Sequence, residues 1–167
     1  MSEKIFNQTV QKITKLILTN EQKMIREEDL LNLCPGSIDF EQVINQTYKN
    51  LMDVGFELIT STFLEQKFYI LTTEGKDDDI TPSQYGALAF ILALTKDVDE
   101  NLKFSDLRDI FSKIWDTVEF LLKKDYIRKL TINNLEIIKI TPLGKALLKN
   151  VIENINLKNL LEIIKKE

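Results

Sequence analysis

One short ending occurs twice in this chain, and it limits the possible folds more than any other feature. Leu71-Thr72-Thr73-Glu74-Gly75-Lys76 and Ile140-Thr141-Pro142-Leu143-Gly144-Lys145 carry Thr and Gly-Lys at identical offsets. Each ending follows the same succession of three helix-period segments and two strand-like runs. A supersecondary order that repeats within 167 residues is a duplicated unit. With 44% hydrophobic and 29% charged residues, the chain can bury a core and keep a solvated surface.

In the first copy, Val10, Ile13, Leu16 and Ile17 mark a helix from about Phe6 to Asn20. Beyond a polar bend, with Ile25 standing alone, Glu27-Glu28-Asp29 opens a short helix carrying Leu30, Leu31 and Leu33. Acidic residues in a first turn complement the helix dipole, and Pro35-Gly36 ends the segment. Asp39 is the expected N-cap of a third helix, with Gln42 completing a capping box. That helix buries Phe40, Val43, Ile44, Thr47, Leu51 and Met52 and ends at Gly55. Phe56 to Thr62 and Phe68 to Thr72 are rich in β-branched and aromatic residues and read as a hairpin.

The second copy begins at Thr81-Pro82, with Pro at an early helical position where its missing N–H costs little. That helix runs to about Leu94. Ser105 is the expected cap of a short helix holding Leu107, Ile110 and Phe111. A third helix carries Ile114, Trp115, Val118, Leu121 and Leu122. Two strands, Tyr126 to Thr131 and Leu135 to Ile140, flank Asn133-Asn134, a pair suited to a tight turn.

Helix, helix, helix, hairpin is the order of a winged helix. The expected fold is therefore mainly α with small β-hairpins: a tandem winged helix plus a C-terminal helix. Unit A spans residues 1–78, and unit B spans 79–167 with a helical extension through Val151, Ile155, Leu160 and Ile164. Gly75-Lys76-Asp77-Asp78-Asp79 forms a charged joint. The terminal apolar stripe must pack on the body or on a partner.

Composition removes most chemistry. There is no histidine and one cysteine, Cys34. Imidazole-based triads and a Cys/His structural zinc site are excluded, and no intrachain disulfide can form. No cofactor, catalytic or metal residue is assigned. The lone thiol fits a reducing compartment. The polar N-terminus does not read as a signal peptide. Tyr85 to Leu94, the longest apolar run, has ten residues, short of the roughly 18 that span a bilayer. The expected location is intracellular, cytoplasmic or chromosome-associated.

Several fragments, in order, are similar to the MAGE (melanoma antigen) homology domain. Ile25-Arg26-Glu27-Glu28-Asp29-Leu30-Leu31 resembles the family's I-K-R-E-D-M-L segment. Leu51 through Val54-Gly55-Phe56-Glu57-Leu58 resembles its L-x-x-V-F-G-x-E-L, one residue shorter and without the Phe before Gly. Tyr69-Ile70-Leu71, Gly86-Ala87-Leu88 and Leu121-Leu122-Lys123-Lys124-Asp125-Tyr126-Ile127 resemble its wing strand, its G-L-L helix and its L-L-T-K region. The similarity covers roughly residues 8–145. It implies a non-enzymatic adaptor that binds a RING-type ubiquitin ligase or a kleisin-like subunit in an SMC complex, with possible DNA contact. It also implies that Leu16 and Ile17, matching an apolar pair on the family's first helix, bind the partner. Adjacent helical positions differ by about 100°, so both cannot face one core equally, and one of the two is expected at the surface.

Charge separates the copies. Residues 1–80 hold 8 Lys+Arg against 14 Asp+Glu, and residues 81–167 hold 14 against 12. In the second copy Lys123, Lys124, Arg128, Lys129 and Lys139 surround the third helix and wing. These are the candidate nucleic-acid contacts, for weak, sequence-independent and salt-sensitive binding to double-stranded DNA. A solvated basic face accounts for them equally simply. A winged-helix transcriptional regulator is the alternative, since Tyr69 through Lys76 fits a Y-x-L-T-x-x-G-K wing ending. No membrane or small-molecule substrate is expected as a partner. The acidic runs Glu27-Glu28-Asp29 and Asp77-Asp78-Asp79 lack calcium-loop spacing and read as a helix start and a solvated joint. Cys34, beside Pro35, reads as an inert thiol.

Overall fold

The computed structural model describes residues 2–73 and 80–148 and divides the chain into two compact units, Met1–Lys76 and Asp77–Glu167. The charged joint with the first Gly-Lys, and the apolar stripe beyond residue 148, lie outside the described residues.

The first unit opens with α1 (Ser2–Thr19), whose Val10, Ile13 and Ile17 recur at helical spacing on its buried face. The strand β1 (Met24–Arg26) leads directly into α2 (Glu27–Leu31), and α3 (Phe40–Asp53) follows. The hairpin of β2 (Phe56–Phe63) and β3 (Gln66–Thr73) closes the unit. Val43 and Leu51 of α3 meet the α1 face over Leu30, Leu58, Tyr69 and Leu71. Each such aliphatic side chain contributes about 1.5–3 kcal/mol through burial.

Three local readings of this unit change, the first being Met52, which α3 turns to solvent at 53% exposure and does not bury. Ile25 does not stand alone: Met24, Ile25 and Arg26 pair with Ile70, Tyr69 and Phe68, giving a three-stranded sheet of order β1-β3-β2. A three-residue strand is too short to show a period, and its partner lies far downstream. Asp39 does cap α3, but through the Glu41 amide at 3.0 Å, with Gln42 not reciprocating.

The β2–β3 turn is two residues long, Leu64 at φ 50° and Glu65 at φ 63°. Both are left-handed, as a type I′ turn requires, and neither residue type favours that region. Replacing Leu64-Glu65 by Asn-Gly is expected to stabilise the first unit by about 1 kcal/mol or more. Urea unfolding followed by far-ultraviolet circular dichroism checks this; an unchanged or lowered midpoint refutes it.

The second unit begins with α4 (Pro82–Asp97). Thr81 Oγ1 accepts from the Gln84 amide at 3.2 Å while Gln84 Oε1 accepts from the Thr81 amide at 2.9 Å, a complete capping box with Pro82 in the first turn. From Ala87 to Leu94 nearly every residue of α4 is buried, so this helix runs through the centre of its unit. Then come α5 (Phe104–Ile110), a single 3₁₀ turn at Ser112–Ile114, and α6 (Trp115–Lys123). The expected Ser105 cap is corrected: Lys103 occupies the cap position without a side-chain bond, and Ser105 lies within the first turn.

The hairpin of β4 (Ile127–Ile132) and β5 (Leu135–Ile140) turns at Asn133 and Asn134, φ 50° and 63°. The place that β1 holds in the first unit shrinks here to one bridge, Lys103 with Ile137, and the Ile138 amide donates to the Leu102 carbonyl at 2.8 Å. The helix α7 (Pro142–Leu147) follows at once. Thr141 is its N-cap: fully buried, it accepts from the Gly144 amide at 3.1 Å. Its hydroxyl also lies against the carbonyls of Asp125 and of Tyr126, the latter at 3.2 Å. A Cβ on Gly144 would sit 2.1 Å from the Tyr126 carbonyl oxygen. The Thr-x-x-Gly ending of the second copy is thus a helix cap pressed against the start of its own hairpin.

Each unit runs helix, extended segment, helix, helix, hairpin. The chain is mainly helical with small, open antiparallel sheets, arranged as a tandem winged helix.

Candidate interaction surfaces

In the first unit, the outward side of α3 carries Glu41, Gln42, Gln46, Lys49 and Asp53, and the wing tip presents Leu64 and Glu65. A face of this charge repels phosphates. Ile17 is 2% exposed and belongs to the core, and Leu16 is half-buried against the same cluster. The apolar side chain that α1 turns to solvent nearby is Leu18, 43% exposed. With Gln11, Thr14, Lys15, Thr19 and Asn50 it lines a shallow groove of about 290 Å³ between α1 and α3.

The acidic helix start is a set of local and cross-sheet ties. Arg26 holds Asp29 through two nitrogens at 2.9 and 3.0 Å. Glu27 Oε2 accepts from the Tyr69 hydroxyl at 2.7 Å and pairs with Lys67 Nζ at 2.7 Å, and that ammonium lies 5.3 Å from the Tyr69 ring centroid. The Lys67 bond, opposed by burial and aided by Tyr69, holds the Glu27 carboxyl below its ordinary 4.5. Burial first, then Glu27, pushes the Tyr69 hydroxyl up. A lowered carboxylate contributes stability that is full above the unfolded pKa and is lost as pH falls through the folded one. The first unit is therefore expected to lose part of its stability below pH 4.5. Glu27→Gln should remove that acid-dependent part and leave a flatter profile. Unfolding midpoints of the two proteins across the acid range test this, and parallel profiles would refute it.

Cys34 is half-buried, its thiol facing the Ile38 carbonyl at 3.6 Å. Burial and then Asp39 push it up, keeping it protonated. Among the described residues no group of three Asp, Glu or Cys converges as a metal site. Asp77-Asp78-Asp79 lies outside them.

In the second unit the five basic candidates do not form one open patch. Arg128 is clamped by Asp125 through bonds of 3.0 and 2.6 Å, which raise its pKa. Lys139, opposite Arg128 across the hairpin, donates to the Glu100 carbonyl at 3.0 Å. Lys129 pairs with Glu136 at 3.2 Å on the other hairpin face. Lys123 and Lys124 end α6, where positive charge also suits the helix dipole, and Lys124 stands 5.9 Å from the Phe120 ring.

Sequence reasoning missed a row of cations and rings on this unit. Lys129 Nζ lies 4.7 Å from the Phe104 ring centroid, Phe104 meets Trp115 edge to face at 5.5 Å, and the Arg108 guanidinium lies 5.3 Å from the Trp115 ring. Phe104 and Arg108 are four apart on α5, a spacing visible in the sequence. Trp115 and Lys129 reach them only through the fold.

These features define a tandem winged-helix chain. No protein-family model matches it, and no curated protein matches it. A chain of a solved structure described as "Nse1-Nse3-Nse4 complex" is similar, with a TM-score of 0.59 and 7% identity over 87% of this chain and 73% of that one. At that identity the likeness shows the shared fold.

Proposed function

We propose that this protein is a non-enzymatic adaptor of MAGE-like type, joining a RING-type ubiquitin ligase or a kleisin-like subunit to a chromosome-associated SMC-type assembly. The observation that carries the reading is the tandem winged-helix likeness to a chain from a complex of three named components. The ordered fragments from Ile25 to Ile127 support it, as does a surface that offers exposed aliphatic side chains such as Leu18, Met52 and Val54. Leu16 and Ile17 act in partner binding by shaping the α1 surface from beneath, while Leu18 makes the contact. In this reading the protein works inside the cell, beside the chromosome-associated assembly; no described helix is long and apolar enough to cross a membrane.

DNA contact is the accessory part of the proposal. It falls chiefly to Lys123 and Lys124, because Arg128, Lys129 and Lys139 already have partners. Co-purification of the tagged protein from native extract is the test. A RING- or kleisin-type partner at stoichiometric yield is expected. Recovery of a lone monomer, or a preference for one operator over random DNA by orders of magnitude, would overturn the reading.

A further inference from the structure

We infer that Phe104, Arg108, Trp115 and Lys129 form a docking surface on the second unit for a partner-protein segment that presents one Asp or Glu carboxylate among neutral residues. The inference rests on the adaptor reading and gives it a location and a chemistry.

Phe104 and Trp115 are half-buried and pack their inner sides on the core of the unit. Their outer sides meet cations: Lys129 at Phe104 and Arg108 at Trp115. Both cations are exposed, and each is held by a ring, which fixes its place at low entropic cost. Lys129 is partly neutralised by Glu136. Arg108 is not: among the described residues its only recorded partner is the Trp115 ring. A guanidinium beside an indole keeps its N–H fork available at the edge, the geometry that takes a carboxylate with two bonds.

Nucleic acid fits this row less well for two reasons. Base stacking needs an open ring face, and both rings are covered by cations without and by core within. Asp106, Asp109 and Asp116 also lie close in sequence to Arg108 and Trp115, so a strand carrying one phosphate per nucleotide meets repulsion. A peptide carboxylate can reach Arg108 singly, with neutral neighbours over the acidic positions. A peptide segment with one Asp or Glu among neutral residues is thus the occupant the chemistry favours.

Trp115 is the only tryptophan of the chain, so intrinsic fluorescence reads this surface directly. The full chain is titrated at low salt with an end-blocked glycine peptide carrying one central Glu, its Gln counterpart, and a short single-stranded oligothymidylate. A saturable Trp115 response to the Glu peptide alone is expected, weakened about tenfold in Arg108→Gln and restored in part by Arg108→Lys. Arg108 is exposed, and an unchanged thermal midpoint in each variant verifies folding. The inference falls if the Glu peptide gives no response, if the Gln peptide matches it, if Arg108→Gln binds like wild type, or if the oligonucleotide binds more tightly. Failure of the adaptor reading is separable. A peptide that binds when no partner co-purifies overturns the adaptor and leaves the surface standing. A partner that co-purifies equally with Arg108→Gln overturns the surface and leaves the adaptor.

Discussion

Gly144→Ala is expected to destabilise the second unit by about 3 kcal/mol or more and to lower its melting temperature by more than about 10 °C. The added Cβ would lie 2.1 Å from the Tyr126 carbonyl oxygen and 3.0 Å from Ile140 Cγ2. The nearest atom is backbone, and it already accepts the Thr141 amide at 3.1 Å. Relief therefore requires α7 to withdraw from the hairpin start, breaking the contacts that seat it. Trp115 belongs to this unit, so its fluorescence during heating is a suitable readout. Gly86→Ala is the control of opposite sign. A Cβ there meets nothing within 4 Å, the residue is an exposed interior position of α4, and a stabilisation of about 0.5–1 kcal/mol is expected. A wild-type midpoint for Gly144→Ala would show that α7 yields freely at this junction.

Thr141→Val should cost the same unit about 2 kcal/mol, or roughly 10 °C. Valine keeps the shape and removes the hydroxyl, leaving the Gly144 amide without its acceptor and the Asp125 carbonyl without its Thr141 donor. A lost N-cap accounts for about 1 kcal/mol, and the polar groups stranded in the interior for the rest. Thr141→Ser retains the oxygen and should recover most of the loss. Since Thr141 and Gly144 act on one junction, the double variant with Gly144→Ala should fall short of the sum. Thermal melts of the four proteins test this, and strict additivity would count against a shared junction.

That junction was legible as a repeated Thr-x-x-Gly-Lys, although the sequence showed only the repeat and not its cause. Structure supplies the cause for the second copy, in which Thr caps and Gly clears a carbonyl; the first Gly-Lys lies outside the described residues. Legibility followed range. The Asn133-Asn134 turn, the Thr81-Pro82 start and the Glu27 helix opening are set by neighbours within four positions, and all were read from local chemistry. The strand at Met24–Arg26 is held by residues 68–70, and no local pattern announces it. Leu64-Glu65 turned as tightly as Asn133-Asn134 without turn-favouring residues, because the paired strands impose the geometry.

The candidate sites divide the same way. Positive charge near α6 is countable in the sequence, but the Asp125 clamp on Arg128, the Glu136 pairing of Lys129 and the Glu100 bond of Lys139 come with the folded hairpin, and they reduce the open patch to Lys123 and Lys124. Helical geometry pointed to one surface residue among Leu16 and Ile17; Ile17 turned inward, Leu16 came to lie half-buried, and Leu18 took the exposed position. The cation–aromatic row needed three elements to meet and left only the Phe104–Arg108 spacing as a trace.

The shrunken third strand of the second unit bears on the order of folding. The first unit must bring residues 24–26 to residues 68–70 and fix three pairs there, whereas the second closes with a single bridge from Lys103 to Ile137. Search over long separations slows folding more than it weakens the final state. For this contact the second unit is accordingly expected to have the shorter search, while both two-residue hairpins close locally. In the first unit, the edge of β3 that Met24–Arg26 covers is expected to pair last and, until then, to be the edge open to other strands.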